Sequence, residues 1–440
     1  MSQEPVEAAE RVTEEAIAKE RRSWVIDVRP LRGVAYRRMW VGNGVSFFGF
    51  QFTAVAVPVE MFSITHSSAW VGLLGIAGLV PLLVFGLWGG AAADVVDRRK
   101  LLLASSTLAW ISTIGLLAQA LLGVRSGLLL LALTAVQSAG FAVSSPARQA
   151  IIPRIVPAHL VPAANTLSYT TTTAGGVLGP LAAGLIFGAW STDAGITIAY
   201  AVDAALFTIS FWATYRLPPI PPVHDDGHGE RPTAGLRGIA DGLRFLTTQP
   251  VLLLSFAVDI IAMVLAMPRA LFPEIAEDRF GGGWAVGWLF AAIAIGSVIG
   301  GLTSGWIGRV KRQGVALVVA VVGWGVAIGF AGFATSLWLM VLLLAVGGAA
   351  DLVSAVYRQS ILQVYAPDRL RGRLQGVFTV VVAGGPRLGD LRAGATADVT
   401  GATASWAGGG FAAAGLAVVL ALAFPALVRY RPPSDAEDNH

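Results

Sequence analysis

Twelve apolar segments of spanning length succeed one another along this chain, at roughly 40–63, 70–93, 101–123, 127–146, 164–190, 194–215, 251–272, 284–307, 314–335, 337–357, 373–397 and 402–428. About 20 apolar residues cross the hydrocarbon core as a helix. A helix also satisfies its own backbone hydrogen bonds where no water can do so. Composition agrees, with 55% hydrophobic and only 13% charged residues, about half the ~25% charged content of soluble domains. The pattern predicts an all-α polytopic membrane protein with twelve transmembrane helices.

Charge sets the orientation. With both termini in the cytoplasm, 26 of the 31 cations fall in the tails and cytoplasmic loops. Only Arg125 and Arg279 fall outside, while Arg269, Arg387 and Arg392 lie within helices. Short loops rich in Lys and Arg stay inside, so both termini are expected to be cytoplasmic and the protein to be a multi-pass inner-membrane one. The net charge of +4 reflects those loops, and no nucleic-acid partner is expected.

Several chemistries are excluded. The chain has no Cys, hence no disulfide and no thiolate site. Its five His show no metal-ligand spacing, and no G-x-S-x-G, H-E-x-x-H or P-loop occurs. No metal, no cofactor and no enzymatic activity are expected.

The organisation is twofold. A cytoplasmic tail, 1–38, precedes a six-helix half at 39–216. A proline-rich linker, 217–250, opens at Leu217-Pro218-Pro219-Ile220-Pro221-Pro222, where consecutive prolines forbid helix. It includes His224-Asp225-Asp226-Gly227-His228, read as solvated linker, and an amphipathic stretch from Leu236 to Thr248. A second six-helix half, 251–430, and a cytoplasmic tail, 431–440, complete the chain. The halves repeat at an offset of 210 residues: Arg148-Gln149 matches Arg358-Gln359, Ile151 matches Ile361, and Leu178-Gly179 matches Leu388-Gly389.

The turn Gly89-Gly90-Ala91-Ala92-Ala93-Asp94-Val95-Val96-Asp97-Arg98-Arg99-Lys100 joins two of the apolar runs. A degenerate copy, Gly300-Gly301-Leu302-Thr303-Ser304-Gly305-Trp306-Ile307-Gly308-Arg309-Val310-Lys311, follows 211 residues later. This pattern resembles the signature loop between helices 2 and 3 of the major facilitator superfamily and its counterpart between helices 8 and 9. The resemblance implies two parallel six-helix halves that rock about a central site. It also implies a conformational latch built from Gly90, Asp94, Asp97, Arg98, Arg99 and Arg309, with Asp94 meeting the start of helix 11 near Arg371-Gly372-Arg373.

Within the superfamily, Tyr36-Arg37-Arg38-Met39-Trp40, Val55-Ala56-Val57-Pro58-Val59, Thr65-His66-Ser67 and Leu302-Thr303-Ser304-Gly305 resemble the siderophore exporters and related multidrug efflux pumps. Gly175, Gly179, Pro180 and Gly184 resemble part of the helix 5 signature of antiporters, and close helix packing explains those small residues equally well. The resemblance implies secondary active export of amphipathic small molecules, siderophore or drug-like, by proton antiport. An importer, or a non-transporting receptor or scaffold on the same fold, are the alternatives. The expected partners are the small-molecule substrate, protons and membrane lipid, and one chain suffices for alternating access. One departure stands out: drug–proton antiporters carry an Arg in mid-helix 4, where this chain has Thr134, Gln137 and Ser138, with Arg148 only at the cytoplasmic end.

Charges inside a membrane are costly and mark function. Asp259, Asp203 and Glu60 are the proton-coupling candidates, Asp259 first because it sits mid-span in helix 7. Two have a structural alternative: an ion pair for Asp259, and exposure to external water for Glu60. Asp351 is expected to pair with a loop Arg, and Arg269 to snorkel toward the outer interface. Asn43, Gln51, Gln137, Tyr169, Trp324, Arg387 and Asp390 are the cavity and substrate candidates, with an intrahelical Arg387–Asp390 pair as the plainer reading of the last two.

Overall fold

The computed structural model describes residues 26–218 and 244–431, except for the side chains of residues 87–95, 150, 368, 369 and 371–373. Residues 1–25 of the N-terminal tail, 219–243 of the linker with the His224–His228 cluster and the first part of the amphipathic stretch, and 432–440 fall outside the described residues. So do the side chains of Asp94, Arg371 and Arg373. The first α-helix already begins at Val34, inside the expected tail.

Among the described residues there is no strand, and twelve helices have 17 residues or more. The first half comprises α1 (Val34–Thr65), α2 (Ser68–Val95), α3 (Arg98–Leu121), α4 (Gly127–Ile155), α5 (Val161–Ala189) and α6 (Thr192–Tyr215). The second comprises α7 (Pro250–Ala266), α8 (Trp284–Leu302), α9 (Gln313–Ala331), α10 (Leu337–Tyr365), α11 (Asp368–Thr400) and α12 (Ala402–Ala423). The duplication is visible in the boundaries, since α4 and α10 occupy the same span at the 210-residue offset. Eleven helical segments are long and apolar enough to cross a membrane. The exception is α11, whose sequence carries Arg387, Asp390 and Arg392 among other charges.

The apolar runs differ most from the helices at 251–272. There α7 stops at Ala266, because Pro268 cannot continue the hydrogen-bond ladder. Arg392 of α11 collects carbonyls near the interrupted end, donating to Val264 O (3.3 Å) and Leu265 O, and also to Ser405 O at 3.1 Å. A single 3-10 turn, Arg269–Leu271, leads into a short helix, Phe272–Phe280, stopped by Gly281 at φ 72°. Its Arg279 donates to Gly332 O and Ala334 O beyond the end of α9.

The halves meet through two equivalent pairs, α2 against α11 and α5 against α8. Both contacts need missing side chains. A Cβ on Gly184 would lie 2.8 Å from Gly287 Cα, and one on Gly75 would lie 2.7 Å from Arg387 O. Small residues give membrane helices this closeness. Among the described residues, the hydrogen bonds between halves gather at the end away from the termini: Ser67 donates to Asp398 (2.5 Å), Ser68 to Glu274, and Ala69 N to Asp398 (3.2 Å). Toward the other end, a cavity lies between the halves.

Candidate transport site

The central cavity has a volume of about 880 Å³ and is lined by the first half of α5, from Tyr169 to Leu178, and by α8 from Ile293 to Leu302, together with Asp351, Leu352 and Arg269. Tyr169 and Thr172 are shared with a second lobe of about 620 Å³ enclosed by α1, α4 and α5. Tyr169 therefore lines both lobes and Asn43 the second.

Its charged wall belongs to the second half. Asp259 is 3% exposed and ion-paired with Arg358 of α10, itself 3% exposed. Arg358 Nη2 also stands 3.6 Å from Asp351 Oδ1, and Asp351 lines the cavity. One guanidinium thus serves two carboxylates. Sequence reasoning supplied no cation for Asp259. The partner lies 99 residues away in the chain, and only the docking of α7 on α10 joins them. Arg269 does not snorkel to the outer interface. The end of α7 before Pro268 turns it into the cavity, whose lining it shares with Asp351. Asp351 pairs with Arg358 of its own helix, not with a loop cation.

Removing one member of a buried ion pair strands the other at a cost of about 3–5 kcal/mol. That cost holds α7 and α10 together while the group stays ionised. A proton on either carboxyl would release Arg358 to the other, so the arrangement can change its charge without unfolding.

The polar candidates of the first half form a separate interior. Asp203 is fully buried and accepts from Thr53 Oγ1 at 2.6 Å. Glu60 is 6% exposed, and borders the outer side only through a small vestibule. It accepts from Gln119 Nε2 at 2.7 Å and Tyr200 Oη at 2.5 Å. That vestibule, of about 110 Å³, is also lined by Arg125 and Asp193, which form an exposed ion pair at 2.8 Å. Gln137 donates to Thr113 Oγ1 at 3.2 Å and is buried within this half.

Other candidates have packing roles. Gln51 fills the space over Gly179, and Phe47 the space over Gly175. Pro180 and Gly184 meet Gly287 of α8. Trp324 is 1% exposed and packs against Gly347 inside the second half, away from the cavity. Arg387 and Asp390 do not form the intrahelical pair: Arg387 donates to Ala383 O (2.8 Å), and Asp390 accepts from Ala270 N (3.2 Å), holding the turn after α7.

In the signature loop, Gly90 and Asp94 lie in the last turns of α2. Asp97 caps α3 by accepting from Arg99 N (2.9 Å) and Lys100 N (3.2 Å). Arg99 reaches α6, donating to Tyr215 O and standing 5.7 Å from the Tyr215 ring centroid. Arg98 opens α3. In the degenerate copy, Arg309 ends an exposed 3-10 turn after α8.

The family model described as "Transmembrane secretion effector" matches residues 26–439. The enterobactin exporter EntS of Shigella boydii serotype 18 is 30% identical over 422 residues, covering 94% of this chain and 98% of that protein. The enterobactin exporter of Escherichia coli strain SMS-3-5 is 29% identical, covering 95% and 100%. Among solved structures, the nucleoside transporter NupG superposes with a TM-score of 0.70 at 16% identity, covering 90% of this chain and all of that one. A bacterial homologue of the lysosomal transporter Spinster, solved inward-facing and unoccupied, gives 0.69 at 18% identity, covering 91% and 97%. The eleven apolar helical segments, the paired halves and these likenesses agree: this multi-pass inner-membrane chain is a transporter, not an enzyme, and belongs to the transmembrane secretion effector family of the major facilitator superfamily.

Proposed function

We propose that the protein exports amphipathic small molecules, siderophore or drug-like, by proton-coupled alternating access. The observation that carries this is the cavity of about 880 Å³ between the halves. Most of its lining is apolar or hydroxylated, with a few fixed charges at one wall, which suits a ligand well above metabolite size. The family supports the direction, since the relatives named above are exporters.

With both termini in the cytoplasm, as the excess of cations in alternate loops supports, the cavity mouth faces the cytoplasm, the loading side for an exporter. Asp351 faces the cavity and exchanges a proton with its water. Arg358 passes the change to Asp259, in the helix whose broken end is held by α11. Substrate entering from the cytoplasm displaces the proton, and reprotonation from outside resets the site. Asp94 acts as the latch at the start of α11, where a carboxylate gains about 0.3–1 kcal/mol from the helix N-terminus. One chain in the lipid bilayer is sufficient for the cycle.

Inverted membrane vesicles test the reading. A lipophilic fluorescent drug or a ferric-ion chelator of siderophore class should accumulate inside when an inward-acid gradient is imposed, and should leak when the gradient is collapsed. Uptake of a sugar or amino acid by intact cells, with no vesicle accumulation, would show an importer instead.

A further inference from the structure

The duplication places Arg148 of α4 and Arg358 of α10 at equivalent positions. Their surroundings are opposite. Arg358 has Asp259 and Asp351. The residues 210 positions before those two carboxylates are Gly49 and Phe141. Both acids are thus missing from the first half, and among the described residues Arg148 has no hydrogen bond and no ion pair. It lines the second lobe of the cavity, about 620 Å³, with Trp40, Phe47, Phe141 and Tyr169. A permanently charged guanidinium in a partly desolvated lobe wants an anion, and none lines the lobe among the described residues.

A second observation points the same way. Two residues lining this lobe, Trp40 and Asn43, keep a buried polar atom, Nε1 and Oδ1, without a hydrogen-bond partner. Buried donors and acceptors are nearly always satisfied. A cation and several ring faces are therefore gathered in one place, next to an orphaned donor and acceptor buried just behind the lining.

We infer that this lobe binds the acidic, aromatic end of the exported molecule, with Arg148 holding a carboxylate or ionised phenol and the rings stacking on its aromatic body. The inference rests on the exporter reading and deepens it. The two halves then divide the labour: the second neutralises its arginine internally and handles the proton, while the first leaves its arginine for substrate. Guanidinium recognition of a planar anion is the geometry this side chain suits best.

The test is equilibrium dialysis of the purified full-length protein against three probes of one shape: 1-naphthoate, neutral 1-naphthamide and cationic 1-naphthylmethylammonium. Charge-assisted hydrogen bonds predict that naphthoate binds about tenfold to a hundredfold more tightly than naphthamide. Arg148→Gln should erase that preference and leave naphthamide binding in place, which also reports that the lobe is folded. Phe141→Asp restores the acid that the second half carries, at a residue 49% exposed, and should erase the preference while Arg148 is still present. Equal binding of naphthoate and naphthamide by the unaltered protein would overturn the inference, as would preference for the ammonium or anion preference surviving both variants. Anion preference without vesicle export would instead remove the exporter reading and leave the site standing. Vesicle export without anion preference would remove the site alone.

Discussion

The two halves share one fold and differ in what fills it. In the first half the interior is polar: Thr53 with Asp203, Glu60 with Gln119 and Tyr200, and Gln137 with Thr113. At the 210-residue offset the second half has Met263 and Ala413, then Ala270, Gly329 and Gly410, then Gly347 and Gly323. Those glycines bring backbones together, as where a Cβ on Gly325 would lie 2.7 Å from Gly410 O. At these equivalent positions the first half joins its helices by side-chain hydrogen bonds and the second by close backbone approach. The second half brings one carboxylate, Asp351, to the cavity wall, and Arg358 links it to the buried Asp259 behind it. A duplicated scaffold can therefore carry its carboxylates deep in one copy and at the working surface of the other.

Breaking the coupling wall should have the largest effect. Asp351→Asn or Asp259→Asn should abolish gradient-driven efflux while leaving substrate binding within about tenfold, roughly 1.4 kcal/mol. Asp203→Asn should leave the response to an imposed pH gradient intact. Efflux from vesicles with and without the gradient checks this, and the opposite pattern would transfer the coupling role to the first half.

Stability separates the halves next. Arg358→Gln strands Asp259 in a buried site and should lower unfolding stability by about 3–5 kcal/mol. Asp259→Asn combined with Arg358→Gln should recover much of that loss. Thermal melting in detergent reads both, and a single variant as stable as the parent would show that the pair holds nothing together.

A smaller loss is expected in the first half. Glu60→Ala introduces the residue that the second half carries at the equivalent position. It leaves Gln119 and Tyr200 without their acceptor, costing about 1–3 kcal/mol for each stranded group. Glu60→Gln keeps an acceptor and should recover part of it. Melting curves that do not distinguish the two substitutions would deny Glu60 its structural role.

The smallest effect belongs to the signature loop. Asp97→Ala removes both cap bonds at the start of α3 and should cost about 1 kcal/mol. Because the chain has no Cys, single introduced cysteines can report accessibility at either end of the cavity in the same sample. Asp97→Ala should leave that labelling pattern unchanged, whereas Asp94→Asn should shift it away from the outward-open state. Unchanged labelling in Asp94→Asn would remove the latch.

Much of the fold was legible along the chain. Spans, the duplication and the excess of cations in alternate loops are local or additive properties, and hydropathy reports them without knowledge of contacts. Membership of the superfamily was legible too, in Gly89–Lys100 and its later copy. Along the chain Tyr169 and Trp324 were not separable, although one lines the cavity and the other is buried in the core. An aromatic in an apolar helix looks the same whether it faces a cavity or a neighbouring helix. Arg358 was the main residue missed as a partner for Asp259. The repeat contained a signal for it, because its equivalent, Arg148, sits in a half lacking both acids.

The sequence by itself determined where the helices lie, that they form two related halves, and which family the chain joins. Tertiary structure decided which charges meet. A helix can rotate about its axis and slide along it with little change in hydropathy, and both motions alter which residues face the cavity. Packing between neighbouring helices sets them. It brings Arg358 to Asp259, turns Arg269 inward behind the Pro268 break, and buries Glu60 between Gln119 and Tyr200.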